Sequence, residues 1–332
     1  MSKSGPHQRT AASSGGHQDG DFLSFSHDPS SGGAQGWRAS SIFNDSLSHP
    51  SDSAPALGAQ RLGTHDLILV ESGWSAFAKG SSKPVGGDPT SDGYTPQPYT
   101  TSIAGSDYNI RIEFKGTWTP DLYNGFTQAA NLLCTYITGD VPDVFFRGKI
   151  IDDIVITAEL KAIDGPGGIL GQAGPTALRT GSYLPATAKM EFDSADASRY
   201  LSAGLWDDIV FHEMTHSLGF GSIWSYLGLS DGATFDGTQA MLAYGEMSKY
   251  NPDGDGDFDP LLVPVETDGG AGTAGSHWDE ETFKTELMTG YIGYLDPTTQ
   301  QYTGQNYISG ITWASLQDLG YQLKPYPDSI LM

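Results

Sequence analysis

The chain of 332 residues carries 40 acidic against 17 basic side chains, for a net charge of −23, and 38% of it is hydrophobic. That is enough apolar material for a sizeable core, which excludes a fibre or a wholly disordered chain. The charge would repel nucleic acid and anionic lipid, so neither is an expected partner. The single cysteine, Cys134, cannot form an internal disulfide, so the chain is not a disulfide-stapled scaffold. The opening MSKSGPHQRTAASSGG has no apolar core, and no later run is long enough to cross a bilayer, so neither a standard signal peptide nor an integral membrane segment is expected.

Residues 1–106 are rich in Ser, Gly, Pro, Asp and His, with one strand-like run from Leu67 to Glu71. They read as a mostly disordered region that serves as a prosegment, a linker or an export tail. Five histidines lie there, His7, His17, His27, His49 and His65, too widely spaced to suggest a metal site. From Asp107 the texture becomes that of a folded domain, 107–332. YNIRIEF alternates as a half-buried strand does. A helix follows, with Pro120 and Asp121 in its first turn. It gathers Leu122, Phe126, Ala129, Ala130, Leu133, Cys134 and Ile137 on one face, so the cysteine reads as core. IDDIVITAEL reads as a second strand, IDGPGGILGQAGP as a loop and ATAKMEF as a third strand. One helix is expected from about Ser202 to Leu218, ended by Gly219. A long irregular insertion, about 220–276, separates it from SHWDEETFKTELMTG and a last helix in ISGITWASLQDLGY.

The chemistry sits in FHEMTHSLGF. His212 and His216 stand four residues apart, on one helical face, so both imidazoles can meet one ion. Glu213 is offset around the helix, placed to take a proton from a water held at that ion. A catalytic zinc takes three protein ligands and keeps one position open. Beyond His65 the sequence holds only three histidines, and the one left besides His212 and His216, His277 in AGSHWDEE, ranks first as the third ligand. Glu246 in YGEMSKY is the acidic alternative, making a two-histidine, one-glutamate peptidase site, and Asp231 or Asp236 could serve in another variant.

HEMTHSLGF, followed far downstream by GSHWDEETFKTELMTG, resembles the leishmanolysin family of metzincin zinc peptidases, bacterial and disulfide-free in type. The likeness extends through IDGPGGILGQAGP, LPATAKMEFDSAD and ITWASLQDLGY, roughly Asp107 to Leu323. It implies an α+β fold with a twisted mixed sheet, an active-site helix above a cleft and a methionine turn. It also implies zinc on His212, His216 and His277, Glu213 as general base, and Met288 as the methionine below the metal. Ser222 stands where compact metzincins place the third histidine.

The activity expected is zinc-dependent hydrolysis of peptide bonds in protein or peptide substrates, with an extended peptide pairing to an edge strand near Lys189–Phe192. Tyr291 near the turn is not expected to join the chemistry. A second ion, calcium, would find Asn251, Asp253, Asp255 and Asp257 in NPDGDGDFDP, with Gly256 at the turn, although Leu262 stands where the bidentate glutamate belongs. The competing reading is a catalytically inactive, metal-stabilised binding or adhesion module. Secretion by a route without a standard signal peptide is the expected location, with the cytoplasm open as the alternative.

Overall fold

The computed structural model describes residues 67–70, 75–78, 93–270, 272–292, 294–295, 302–303 and 305–332. His7, His17, His27, His49 and His65, and with them most of the region expected to be disordered, lie outside the described residues. The strand-like run before Glu71 forms β1 (Leu67–Leu69), followed by β2 (Ser75–Ala78) and β3 (Tyr99–Thr100). All three belong to the main sheet, which therefore begins ahead of Asp107.

β4 (Ile110–Lys115) alternates buried and open positions, as its period-two pattern requires. Thr119 caps α1 (Pro120–Tyr136) by accepting from the Leu122 amide, and Pro120 occupies the first turn, where its missing N–H costs nothing. The buried face of α1 holds Leu122, Phe126, Ala129, Ala130, Leu133 and Cys134. Burial pushes the Cys134 thiol up to about 11, so it remains an inert part of the core. A small hairpin, β5 (Val144–Phe146) with β6 (Lys149–Ile151), leads into β7 (Ile154–Lys161).

The remaining long strands are β8 (Ile169–Arg179) and β9 (Pro185–Asp193). Along the sheet the order is β1-β8-β9-β7-β4-β3, with β2 also on β8. β4, β7 and β9 run parallel, whereas β8 runs antiparallel to β9. Two expectations are corrected. ILGQAGP is the first half of a strand rather than loop: glycine weakens a strand in isolation, but pairing on both sides fixes this one. β9, which carries Lys189–Phe192, lies inside the sheet between β7 and β8 and offers no edge.

The helix expected from Ser202 is two helices, α2 (Ala197–Ser202) and α3 (Trp206–Ser217). Gly204, at φ +73°, breaks the chain between them. α3 packs against α1 and beneath β8 and β9. Its first residue, Trp206, is locked by an indole N–H donated to the Leu122 carbonyl at 2.9 Å and by rings of Phe126 and Phe192.

The insertion after α3 is partly regular: α4 (Trp224–Leu227), β10 (Thr234–Phe235), α5 (Thr238–Ser248) and β11 (Val263–Pro264). α6 (Glu280–Phe283), the short strand pair β12 (Tyr294–Leu295) and β13 (Tyr302–Thr303), β14 (Tyr307–Ser309), α7 (Gly310–Asp318) and β15 (Ser329–Leu331) complete the chain. Among the described residues, no helix is long and apolar enough to cross a membrane.

Candidate metal centre

α3 is buried all round, which is unusual for a helix bearing two histidines and an acid. His212, Glu213 and His216 are each 0% exposed. Buried polar groups demand partners, and the imidazoles find theirs in a consistent way. His212 Nδ1 donates to the Leu287 carbonyl at 2.7 Å, and His216 Nδ1 donates to the Phe220 carbonyl at 3.0 Å. His277, brought in by the loop before α6, places its Nδ1 3.0 Å from the Thr273 carbonyl and 3.0 Å from Ser276 Oγ.

A carbonyl oxygen can only accept, so each Nδ1 carries the proton and each Nε2 presents a bare lone pair. The three Nε2 atoms converge on one another at 2.9, 3.0 and 3.2 Å. Three facing lone pairs repel unless a cation lies between them. Around zinc, held at about 2.0–2.1 Å by each nitrogen, tetrahedral geometry separates the nitrogens by roughly 3.3 Å. The donor set therefore fits the metal. Burial, and then the neighbouring imidazoles, hold His212 well below the usual histidine range, and burial holds His277 down at about 4. Both effects keep the rings neutral, the form that binds metal.

Glu213 lies beside this cluster with both carboxyl oxygens buried and without a hydrogen-bond partner. Burial alone pushes its carboxyl well above the usual range. A dication within reach reverses that logic and favours the carboxylate. Room for the side chain comes from β8: a Cβ added at Gly171 would lie 2.8 Å from Glu213 Oε1. Another glycine closes the centre from below, where a Cβ at Gly221 (φ +69°) would strike the Ser276 carbonyl oxygen at 2.2 Å. The chain leaving α3 thus passes directly under the loop that delivers His277.

Met288 is fully buried in a turn tied into the same network. Its amide donates to Glu286 Oε2 at 2.5 Å, and the Leu287 amide donates to the Tyr307 carbonyl. Glu286 Oε1 accepts from the Ser309 amide, Ser309 Oγ and Thr312 Oγ1. The Trp278 amide donates to the Met288 carbonyl at 3.0 Å, and the Trp278 indole donates to Thr312 Oγ1 at 2.9 Å. One buried carboxylate therefore braces both the turn that orients His212 and the segment next to His277.

The other candidates stay apart. Glu246 is exposed on α5, in a cleft with Leu242 and Tyr326, outside the histidine cluster. Asp231 is exposed and accepts from the amides of Ala233 and Thr234, and Asp236 is exposed as well. Tyr291 is half-buried just past the turn. In NPDGDGDFDP, Asn251 accepts from the Gly254 amide, Asp253 from Asp255 and Asp255 from Asp257. The carboxylates of Asp253, Asp255 and Asp257 do not gather round one point, an arrangement of successive solvated turns. Gly171, Gly221 and Glu286 escaped sequence reasoning. The first two carry no signal beyond being glycine, and Glu286 had only its position two residues before Met288.

A helix offering two of three convergent imidazoles, with an acid beside the first, is the donor set of a metal-dependent hydrolase. The family model described as leishmanolysin matches residues 153–329, just over half the chain, and includes every residue of this centre. The chain belongs to the leishmanolysin family of metallopeptidases. No curated protein matches it.

Proposed function

We propose that the protein is a zinc-dependent endopeptidase, with His212, His216 and His277 holding the ion, Glu213 serving as general base and Met288 forming the floor of the site. The observation that carries the reading is the unpartnered Glu213 carboxyl, fully buried beside three imidazoles whose Nε2 lone pairs face one another. When bound, zinc supplies Lewis acidity to the scissile carbonyl and to the attacking water.

The rest falls to the chain. Glu213 accepts a proton from water as its oxygen bonds to the carbonyl carbon, and delivers that proton to the amine nitrogen as the C–N bond breaks. Because Gly171 leaves the space beside Oε1 open, the carboxylate can approach the reacting water from the β8 side. An extended peptide would be held through its main chain, which binds without demanding a particular sequence. Protein and peptide substrates follow from that mode of binding. An extracellular setting fits the acidic composition of the chain.

The test is hydrolysis of an unfolded protein by the zinc-loaded chain beside its Glu213→Ala variant. The variant should bind zinc as the parent does and lose roughly 10²–10⁴-fold in kcat. Undiminished cleavage would sink the mechanism. Zinc binding without cleavage by either would leave a metal-stabilised binding module.

A further inference from the structure

The hairpin of β5 and β6, VFFRGKII from Val144 to Ile151, divides its apolar residues between two faces. Val144 and Ile151, a cross-strand pair, are buried and pack with Ala186 and Val155 in a small cluster separate from the main core. Phe145 and Ile150 form the next pair and face the other way, because successive residues of a strand alternate. They are 41% and 66% exposed. Two large apolar side chains set side by side in water favour burial against something else.

The two ends of the hairpin carry opposite charge. At the closed end Arg147 and Gly148 make a two-residue turn at φ +48° and +84°, the left-handed pair that asparagine and glycine usually supply. An arginine is strained there. Its guanidinium lies 5.0 Å from the Phe146 ring and has no carboxylate partner among the described residues. At the open end stand the exposed acids Asp140, Asp143 and Asp152. Carboxylate oxygens of Asp140, Asp152 and Asp153 come within 4.8 Å of one another, and burial and then Asp143 hold Asp152 above the usual carboxylate range. Asp153 is already taken by the amides of Val141 and Asn109. A cavity of about 480 Å³ beside this end is lined by Asp140, Asp143 and Arg179. The Arg179 guanidinium is committed to the carbonyls of Pro142, Asp152, Asp153 and Pro185, so the acids are the uncommitted charges there.

We propose that this hairpin is the contact through which two copies of the chain associate about a two-fold axis, with Phe145 and Ile150 of each at the centre and Arg147 of each against Asp140, Asp143 and Asp152 of the other. A two-fold interface must be complementary to itself. An apolar centre with a cation at one end and acids at the other meets that condition, because turning the second hairpin end for end sets unlike charges together twice. A basic peptide would satisfy the acids and leave the tip unpaired, and an anionic membrane would accept the tip and meet the acids. A second copy uses both ends. The net charge of −23 on each copy opposes approach, but that field is screened beyond about 8 Å in physiological salt, so short-range contacts decide. The surface is small, and the dimer is accordingly weak, with a Kd in the micromolar range or above.

The experiment is sedimentation of the full, zinc-loaded chain over a range of concentrations, and it reads association whether or not the chain cleaves peptides. Three variants accompany it: Ile150→Thr at the centre, Arg147→Glu at the tip, and a double variant, Asp140→Lys with Asp143→Lys, at the base. All four residues are exposed and none belongs to the metal centre. Circular dichroism and zinc content establish that the variants fold. The parent should dimerise reversibly, and each variant alone should associate at least about tenfold more weakly, the two charge variants because like charges then face each other. The tip and base variants mixed in equal amounts should recover most of the parental affinity, because the reversed tip meets the reversed base and the unaltered tip the unaltered base. A misfolded variant would not be rescued in this way. A parent that stays monomeric at hundreds of micromolar would overturn the inference, as would a dimer indifferent to all three variants or a mixture no tighter than its components. A monomeric parent that binds vesicles of anionic lipid through this hairpin would give the surface to a membrane and overturn it equally.

Discussion

His212 Nδ1 lies 2.7 Å from the carbonyl oxygen of Leu287, a residue 75 positions further along the chain. Through this bond the turn before Met288 sets the tautomer and the tilt of the first imidazole on α3. The turn has an anchor of its own, the buried carboxylate of Glu286, which accepts from Met288, Ser309 and Thr312.

Removing that anchor should loosen the centre without touching a ligand. Glu286→Ala leaves four buried donors unpaired, a loss of about 3–5 kcal/mol. Zinc should also leave the variant roughly 10–100-fold faster than the parent, the usual cost of losing an outer hydrogen bond. Thermal melting and release of zinc to a chelator measure the two effects. A variant that melts and releases zinc like the parent would show that Glu286 braces nothing.

His277→Ala separates the three-histidine site from the alternative with Glu246. With Glu246 exposed on α5 and outside the cluster, the variant keeps only two imidazoles. Its zinc affinity should fall by more than the roughly 10–100-fold expected of an outer-contact loss. Calorimetric titration gives the answer, and near-parental affinity would reinstate a site built with Glu246.

Gly171→Ala tests whether the space beside Glu213 matters. Its Cβ would lie 2.8 Å from Oε1, 3.1 Å from Cγ and 3.2 Å from Cδ, so the carboxylate must turn away. We expect kcat to fall at least about tenfold with zinc affinity unchanged, because a displacement of about an ångström suffices for such losses. Equal kcat in the two proteins would mean that Glu213 has other room.

Stability should fall in acid partly through Asp193. Burial opposes its charge, but amides of Ala195, Gly165, Asp164 and Ile163 outweigh burial and hold the carboxyl below its ordinary range. A group with a depressed folded pKa stabilises above its unfolded value, about 3.9, and the contribution disappears as pH falls through the folded value. Asp193→Asn should therefore cost about 1–3 kcal/mol in urea unfolding at pH 7. The gap from the parent should close at lower pH, and a gap independent of pH would argue against this account.

The histidine cluster was more legible in the sequence than the framework around it. His212 and His216 could be placed on one face from the sequence because helical spacing is a local property. His277 emerged because the folded part held no other histidine. The edge of the sheet was not legible: Lys189–Phe192 has the pattern of a strand, but which strand lies outside depends on pairings made far away in sequence. β8 hid in a glycine-rich stretch that reads as loop, and its glycine over Glu213 has meaning only once α3 is packed below. Glu286 drew no notice in the sequence, since nothing local announces that Ser309 and Thr312 will close around it. The α2–α3 break shows the opposite limit, where a continuous apolar pattern outweighed Gly204 in the reading but not in the chain.

All three imidazoles are steered by main-chain carbonyls, those of Leu287, Phe220 and Thr273. The orienting oxygen at each position belongs to the backbone and is present whatever side chain stands there. Evolution can therefore rewrite residues 220, 273 and 287 for packing while the path of the chain carries the aim of the imidazoles. The centre is heritable as a shape, and a chain that keeps the shape can drift far in its letters.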